Sequence, residues 1–169
     1  LVISEKTMKI IIAGAGEVGF HFAKLLSYEA QEITLIDTDK ESLAYANSHL
    51  DIRVLRGDAT SVAVLQDAKV DASDLVIGVT ASETTNLTFC LLAKQLGSKK
   101  TIARISNTEF VDHKALIKFD ELGIDELISP EELAASEIQL LLNQSAFNDT
   151  YEFEGGLLTM VGVFLPKTA

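Results

Sequence analysis

The chain has 169 residues, of which 47% are hydrophobic and 23% are charged, and its formal net charge is −11. An acidic chain repels polyanions, so we exclude nucleic acid as a partner. No apolar run approaches the roughly 18 residues that a bilayer-spanning helix needs, so we also exclude direct membrane insertion and expect a cytoplasmic protein.

Short apolar strands alternate with helices over most of the chain. The pattern predicts six strands, at Lys9–Ala13, Glu32–Asp37, Ile52–Leu55, Leu75–Val79, Thr101–Ile105 and Gly123–Ile128. It predicts helices at Glu17–Tyr28 (with Val18, Phe22, Leu25 and Leu26 on the buried stripe), after a Thr38/Glu41 capping box, after Thr60 or Ser61, at Glu83–Leu96 and at Glu109–Glu121. Alternating strands and helices form parallel sheets through right-handed crossovers. We therefore expect an α/β, Rossmann-like three-layer fold with a six-stranded, mainly parallel sheet.

The pattern changes at Ser129, which with Pro130 and Glu132 forms a helix start. The helix that follows is apolar on more than one face, so we expect one face to meet its own sheet and the other a second subunit. Strand-like segments, Thr150–Glu154 and Leu157–Leu165, then flank Gly155-Gly156, which predicts a hairpin. The predicted organisation is an N-terminal extension over 1–7, a Rossmann domain over 8–128, a dimerisation helix over 129–145 and a hairpin over 146–169.

A glycine-rich segment, Gly14-Ala15-Gly16-Glu17-Val18-Gly19, follows the first predicted strand and opens the first predicted helix. In that context Gly14 permits a tight turn, Gly16 lets the backbone approach a pyrophosphate, and Gly19 lets helix and strand pack closely. The N–H groups at the start of the helix are donors for phosphate. The segment predicts a bound adenine nucleotide.

Asp37 ends the second predicted strand, where a carboxylate can accept hydrogen bonds from ribose hydroxyls. Such a carboxylate repels a 2′-phosphate, and Thr38 and the two residues after it include no arginine. The position therefore favours NAD over NADP.

Two more loops follow predicted strands, at the edge of the sheet where ligands bind in open α/β folds. In Gly57-Asp58-Ala59-Thr60, Asp58 either accepts from an adenine amino group or caps the next helix. In Thr80-Ala81-Ser82-Glu83, either the small residues let a nucleotide pass close to the backbone or Ser82 is an ordinary helix cap. Arg104, inside an apolar strand, needs a partner, and the candidates are a ligand phosphate or a carboxylate such as Asp58 or Glu83.

Catalytic groups are not recognisable in the sequence. His21, His49 and His113 lie on predicted helices among polar neighbours, and the single cysteine, Cys90, lies in an apolar helical stretch. No cluster has metal-ligand spacing, and the residues after Val111 leave little room for a substrate site. We therefore predict no enzyme and no metal site; the alternative is a fragment of an NAD-dependent oxidoreductase.

Four segments together resemble the KTN (RCK N-terminal) domain family, over about residues 8–145. They are the glycine loop with its preceding strand (Met8 to Gly19), Val79 to Asn86, Ile102 to Arg104, and Gly123 to Glu131. The resemblance implies a regulatory subunit that binds NAD(H), ATP, ADP or AMP and gates an integral-membrane potassium channel or transporter. It also implies a homodimer or tetramer, held at the inner membrane through that partner.

The resemblance further implies roles for particular residues. Gly14 to Val18 would hold the phosphates, Asp37 the ribose, Thr80 and Ala81 the nucleotide, and Arg104 a phosphate, while the helix from Pro130 would cross between subunits toward a C-terminal lobe that is largely absent. Two positions depart from relatives: Ser106 replaces a basic residue, and Glu17 replaces the arginine of some ATP-responsive relatives. Because a carboxylate near the phosphates repels a triphosphate, Glu17 favours NAD(H), ADP or AMP over ATP.

Overall fold

The computed structural model describes residues 7–107, 109–112, 117–143, 149–153 and 158–162. The chain divides into two compact units, Leu1–Ser129 and Pro130–Ala169, and each is described by itself. None of the helices in the described ranges is long and apolar enough to cross a membrane.

The first unit is built on six strands. They are β1 (Lys9–Ala13), β2 (Glu32–Asp37), β3 (Arg53–Arg56), β4 (Leu75–Gly78), β5 (Lys100–Arg104) and β6 (Glu126–Ile128). Their spatial order is β3-β2-β1-β4-β5-β6, and every pairing between neighbours is parallel. This order confirms the predicted Rossmann-like fold, with a sheet that is parallel throughout.

The described residues of this unit form five α-helices. They are α1 (Glu17–Ser27), α2 (Lys40–His49), α3 (Val62–Asp67), α4 (Glu83–Leu96) and α5 (Glu109–Asp112), and a short 3-10 helix, Val70–Ala72, precedes β4. Asp39 caps α2 by accepting from the amides of Glu41 and Ser42, so the predicted Thr38 cap is wrong by one residue. Ser82 caps α4, as one interpretation of the sequence had it.

The core lies on both faces of the sheet because side chains alternate along each strand. Ile11 and Ala13 of β1 join a cluster with Phe89 of α4, whereas Ile10 and Ile12 join a second cluster on the opposite face. The second cluster contains Ala23 of α1 with Leu43 and Ala46 of α2. A helix layer on each face explains why β1 is apolar at consecutive positions.

Two further predictions about this unit are wrong. Leu25 is 50% exposed, whereas the other residues of the predicted stripe, Val18, Phe22 and Leu26, pack against the core cluster that contains Ala23. The predicted helix Glu109–Glu121 is described as a helix only to Asp112, residue 117 is a bend, and residues 119–123 form a turn. Packing of the Phe119 ring against Phe110, with 5.9 Å between centroids, accompanies the turn that brings Ile124 into the core. Residues 113–116, with His113, lie outside the described residues.

The second unit consists of α6 (Pro130–Asn143) and an antiparallel pair, β7 (Asp149–Phe153) and β8 (Leu158–Gly162). The antiparallel pairing of β7 with β8 agrees with the two strand-like segments predicted there, and their connection lies outside the described residues. Leu133, Ile138 and Leu141 of α6 are each more than half exposed in the single chain. Gly155-Gly156 and the segment after Gly162 lie outside the described residues, as does most of the predicted extension over 1–7.

Candidate nucleotide-binding site

The glycine loop joins β1 to α1 at the centre of the sheet. Gly14 has a φ of +109°, and a Cβ there would lie 2.9 Å from backbone atoms of Val79 and Thr80. A Cβ on Gly19 would overlap the carbonyl oxygen of Gly14, whereas a Cβ on Gly16 would meet no protein atom within 4 Å. Gly14 and Gly19 are therefore required for packing, and Gly16 faces open space.

Gly16 is also the N-cap of α1, and no side chain caps that helix. The first N–H groups of a helix have no acceptor within the helix and carry a partial positive charge. This end of α1 therefore offers backbone donors to an anionic group beside Gly16, which fits a phosphate. Glu17, exposed in the first turn, adds a negative charge at the same place.

Asp37 at the end of β2 is fixed by two backbone amides. One carboxylate oxygen, Oδ2, accepts from the amide of Ala15 at 2.5 Å, and the other, Oδ1, accepts from the amide of Asp39 at 2.8 Å. A carboxylate has about four acceptor positions, so both oxygens retain capacity for ribose hydroxyls. Asp37 thus joins the glycine loop to the loop after β2 and still presents an acceptor.

Asp58 lies in the loop after β3 and organises that loop. Its Oδ1 accepts from the Thr60 amide at 2.8 Å and from the Thr60 hydroxyl at 2.7 Å. These hydrogen bonds lower the pKa of the Asp58 carboxyl below its usual value. The helix cap is Ser61 rather than Asp58 or Thr60, and the Ser61 side chain makes no capping bond. Asp58 is therefore an ionised, exposed carboxylate whose Oδ2 has no hydrogen-bond partner among those described.

The loop after β4 is fixed by a buried asparagine of α4. Asn86 of α4 is 1% exposed, and its Oδ1 accepts from the Thr80 amide at 2.8 Å and lies 2.7 Å from the Thr80 hydroxyl. Its Nδ2 donates to the carbonyl of Arg104 at 2.9 Å. The loop that contains Thr80 and Ala81 is consequently positioned by α4 and tied to the end of β5.

These three loops and the glycine loop enclose one cavity of about 490 Å³ at the carboxyl ends of β1 and β4. That volume lies within the usual range for small-molecule sites. Strand order reverses between β1 and β4, which is where ligands bind in open α/β sheets. The cavity is lined by Gly14, Gly16, Ile36, Asp37, Thr38, Ser42, Gly57, Asp58, Ala59, Val79, Thr80, Ala81, Ser82 and Thr85.

Most of the residues predicted for the site lie together there. The cavity brings together Gly14, Gly16, Asp37, Thr38, Asp58, Ala59, Thr80 and Ala81. Ala15 and Glu17 line an adjacent cavity, and Val18 and Gly19 belong to the first turn of α1 and its packing against β1. Arg104 is half-buried at the end of β5 and is not a lining residue, so its contact with phosphate stays a prediction.

Three residues belong to the site although the sequence pattern did not predict it: Ser42, Thr85 and Asn86. Ser42 and Thr85 reach the cavity from the first turns of α2 and α4. Asn86 lies in the Val79–Asn86 segment, one of the four that resemble the KTN family. Its position as a polar residue one turn inside an apolar helix was the signal that could have pointed to it. Glu83, one of the predicted partners of Arg104, accepts through its Oε2 from the amides of Ser106 and Asn107 at 3.1 and 3.0 Å.

The family model and the curated proteins that match this chain carry related names. The TrkA-N domain family model matches residues 10–130. The Trk system potassium uptake protein TrkA of Halomonas elongata is 37% identical over 157 residues, which cover 92% of this chain and 34% of that protein. The TrkA homolog of Archaeoglobus fulgidus is 36% identical over 154 residues, covering 91% and 35%. The chain thus spans about a third of the length of these curated relatives.

Solved structures give the same fold. The RCK domain of GsuK superposes with a TM-score of 0.65 at 27% identity, covering 82% of this chain and 28% of that one. GsuK bound to ADP gives 0.64 at 26% identity, covering 82% and 34%. The TrkA-N domain of the inner membrane protein ybaL from Escherichia coli gives 0.68 at 18% identity, covering 81% and 98%, and supports the fold alone.

The fold and the cavity define a Rossmann-type α/β domain with a glycine-rich loop at its switch point. Within that class, the chain belongs to the TrkA-N domain family. The family resemblance noted in the sequence is thereby confirmed.

Proposed function

We propose that this chain is the nucleotide-binding part of a regulatory subunit of a potassium uptake system and that it is not an enzyme. The observation that carries the proposal is the cavity between β1 and β4, in which the open side of Gly16, the uncapped start of α1 and the Asp37 carboxylate lie together. This set matches the phosphate and ribose of an adenine nucleotide. The names of the curated relatives support the link to potassium uptake.

NAD(H) is the preferred ligand in this proposal, with ADP and AMP next and ATP last. Among the lining residues that the structure describes, two are carboxylates, Asp37 and Asp58, and none is cationic. Glu17 adds a third negative charge beside the loop. Each further phosphate charge on the ligand is therefore repelled. The 26%-identical GsuK structure with ADP supports an adenine nucleotide.

In this proposal the protein acts as a cytoplasmic homodimer or tetramer, peripheral to the inner membrane, on an integral-membrane potassium channel or transporter. The nucleotide makes different contacts in two arrangements of the subunits, and so it shifts the populations of these arrangements. A ligand with equal affinity for both arrangements would shift nothing. Small-angle scattering with and without saturating NADH tests this step, and identical profiles would contradict it.

Calorimetric titration with NAD, NADH, ATP, ADP and AMP tests the binding site itself. The decisive variant is Gly16→Val, which puts a side chain where the protein leaves space and where we expect phosphate. Ser61→Val is the matched control, because Ser61 is also a helix N-cap in extended backbone, lies outside the cavity and makes no capping bond. We expect Gly16→Val to weaken nucleotide binding at least tenfold and Ser61→Val to leave it unchanged. Unaltered binding in Gly16→Val would overturn the assignment.

A further inference from the structure

A second cavity, of about 680 Å³, lies between the first halves of α1 and α2. We call it the α1–α2 cleft; its walls include Glu17, Phe20, His21, Glu41, Ser42 and Tyr45. It meets the nucleotide cavity at Gly16 and Ser42, which line both. The proposed nucleotide function does not use the rest of its surface.

One wall of the cleft is aromatic and faces solvent. The Tyr45 ring lies 5.1 Å from the Phe20 ring and 4.1 Å from the His49 ring, measured between centroids. Tyr45 is nevertheless 55% exposed. Unlike an isolated exposed ring, Tyr45 is held in position by two neighbouring rings, and tyrosine is enriched at interfaces because its ring is apolar and its hydroxyl polar.

The other feature of the cleft is its charge. Glu17 and Glu41 lie in the first turns of α1 and α2, and both are exposed. A helix N-terminus stabilises acidic residues, which accounts for their presence but not for the exposed ring of Tyr45 beside them. Aromatic faces and carboxylates together attract a flat cation, and a guanidinium group satisfies both through stacking and paired hydrogen bonds.

We propose that the α1–α2 cleft binds an arginine-bearing segment on the cytoplasmic side of the membrane partner. The proposal rests on the regulatory function proposed above, because cytoplasmic loops of membrane proteins carry an excess of lysine and arginine. Charge complementarity supports this occupant, since Glu17 and Glu41 are exposed at the cleft and the chain as a whole is acidic, with 25 acidic and 14 basic residues. Because Gly16 and Ser42 belong to both cavities, the bound segment lies next to the nucleotide phosphates.

A peptide titration followed by two-dimensional amide NMR tests the proposal on the whole chain. The probe is an acetylated Gly-Arg-Gly-Arg-Gly amide, and its citrulline counterpart keeps the shape without the charge. We expect the arginine peptide to shift the amide signals of residues 15–21 and 41–49, and the citrulline peptide to bind at least fivefold more weakly. Tyr45→Ala should weaken binding at least threefold and Glu41→Gln about twofold, within the range of exposed cation–aromatic and ion-pair contacts.

The controls use equivalent residues away from the cleft. Tyr28→Ala removes a tyrosine that is 75% exposed after the other end of α1, and Glu29→Gln removes a nearby exposed carboxylate. Both should bind the peptide as the unmodified protein does, and Tyr45→Phe should keep binding and confirm that a ring is required. Equal binding of the citrulline peptide, unchanged binding in Tyr45→Ala, or signals shifting elsewhere would overturn the proposal.

Two further outcomes separate the possible sources of a signal. Shifts at residues 41–49 that grow with protein concentration alone, without peptide, would identify a second copy as the occupant and overturn the proposal. Nucleotide titration of the same samples is independent: peptide binding without nucleotide binding would contradict the proposed function and leave the cleft assignment standing.

Discussion

Asn86 holds Thr80 in place from inside α4, with its amide oxygen 2.8 Å from the Thr80 backbone nitrogen and 2.7 Å from the Thr80 hydroxyl. The same side-chain amide donates to the carbonyl of Thr80 at 3.2 Å and to that of Arg104 at 2.9 Å. A single buried side chain therefore sets the loop after β4 and links it to the end of β5.

Asn86→Ala should lower both stability and nucleotide affinity. The change leaves buried or half-buried backbone groups without their partner, which costs about 1–3 kcal/mol of unfolding free energy. The loop with Thr80 and Ala81 would also lose its fixed position against the ligand. Urea unfolding and calorimetry measure the two effects, and Asn47→Ala, at an exposed asparagine of α2, is the control. Affinity equal to that of the unmodified protein would show that the loop is positioned by other contacts.

Gly19→Ala should destabilise the domain strongly, whereas Gly16→Ala should not. The added methyl on Gly19 would overlap the carbonyl of Gly14, and relieving such overpacking typically costs about 1–3 kcal/mol or more. The methyl on Gly16 meets no protein atom, so we expect a change within about 0.5 kcal/mol. Thermal and urea unfolding of the pair test this, and equal stabilities would be inconsistent with the close contact of α1 and β1.

Asp125 should make the domain sensitive to acid. Burial raises the pKa of its carboxyl, but hydrogen bonds from Lys94 and from the amide of Thr101 outweigh burial, so the pKa lies below the ordinary value of 3.8. The unfolded chain then takes up the proton first. The stabilisation is complete well above pH 3.8 and is lost as pH falls through 3.8 toward the lower pKa of the folded state.

Asp125→Asn tests this pH dependence. At pH 7 we expect a loss of about 1–2 kcal/mol, because Lys94 and Thr101 lose a charged acceptor. Between pH 5 and the acid range, its unfolding free energy should fall less steeply than that of the unmodified protein. Urea unfolding at several pH values gives both slopes, and parallel slopes would contradict the prediction. Glu121→Gln removes an exposed ion pair with Lys118 and should leave the slope nearly unchanged.

Lys69→Gly should stabilise the domain. Lys69 precedes the 3-10 helix with a φ of +57°, a left-handed conformation that costs a residue with a Cβ about 1–2 kcal/mol. Glycine removes that cost but adds freedom to the unfolded chain, so we expect a net gain of about 0.5 kcal/mol. Lys24→Gly, in the regular helix α1, should instead lose about 1 kcal/mol. A loss in both variants would contradict the argument.

The sequence predicted best where the signal is local. The bounds of β1, β2 and α4 agree with the prediction residue for residue, because a β-branched apolar run, a strand ending in Asp37 and a helix between Ser82 and Gly97 each carry their own start and stop signals. The prediction of a helix failed in the segment 117–123. Its apolar residues follow a helical spacing, but the contact of the Phe119 ring with Phe110 is tertiary and cannot be read from that spacing.

In the site, too, the residues with local signals were predicted, and those that depend on tertiary packing were not. The glycine positions and Asp37 were predicted from spacing, since the turn and strand end that they need are local. The role of Asn86 depends on a helix passing beneath a loop six residues earlier, and that of Ser42 on how α2 approaches the cavity. The residue pattern marks Asn86 as a polar residue inside α4 but does not indicate what it contacts, and it gives no signal for Ser42.

The amides of Ala15 and Asp39 both donate to the Asp37 carboxylate in the free protein. They orient its carboxylate before any ligand arrives, so the conformational entropy of that side chain is already lost in the free protein. In the proposed nucleotide site, the hydrogen bonds that Asp37 offers a ribose are therefore not offset by a cost for ordering this side chain on binding.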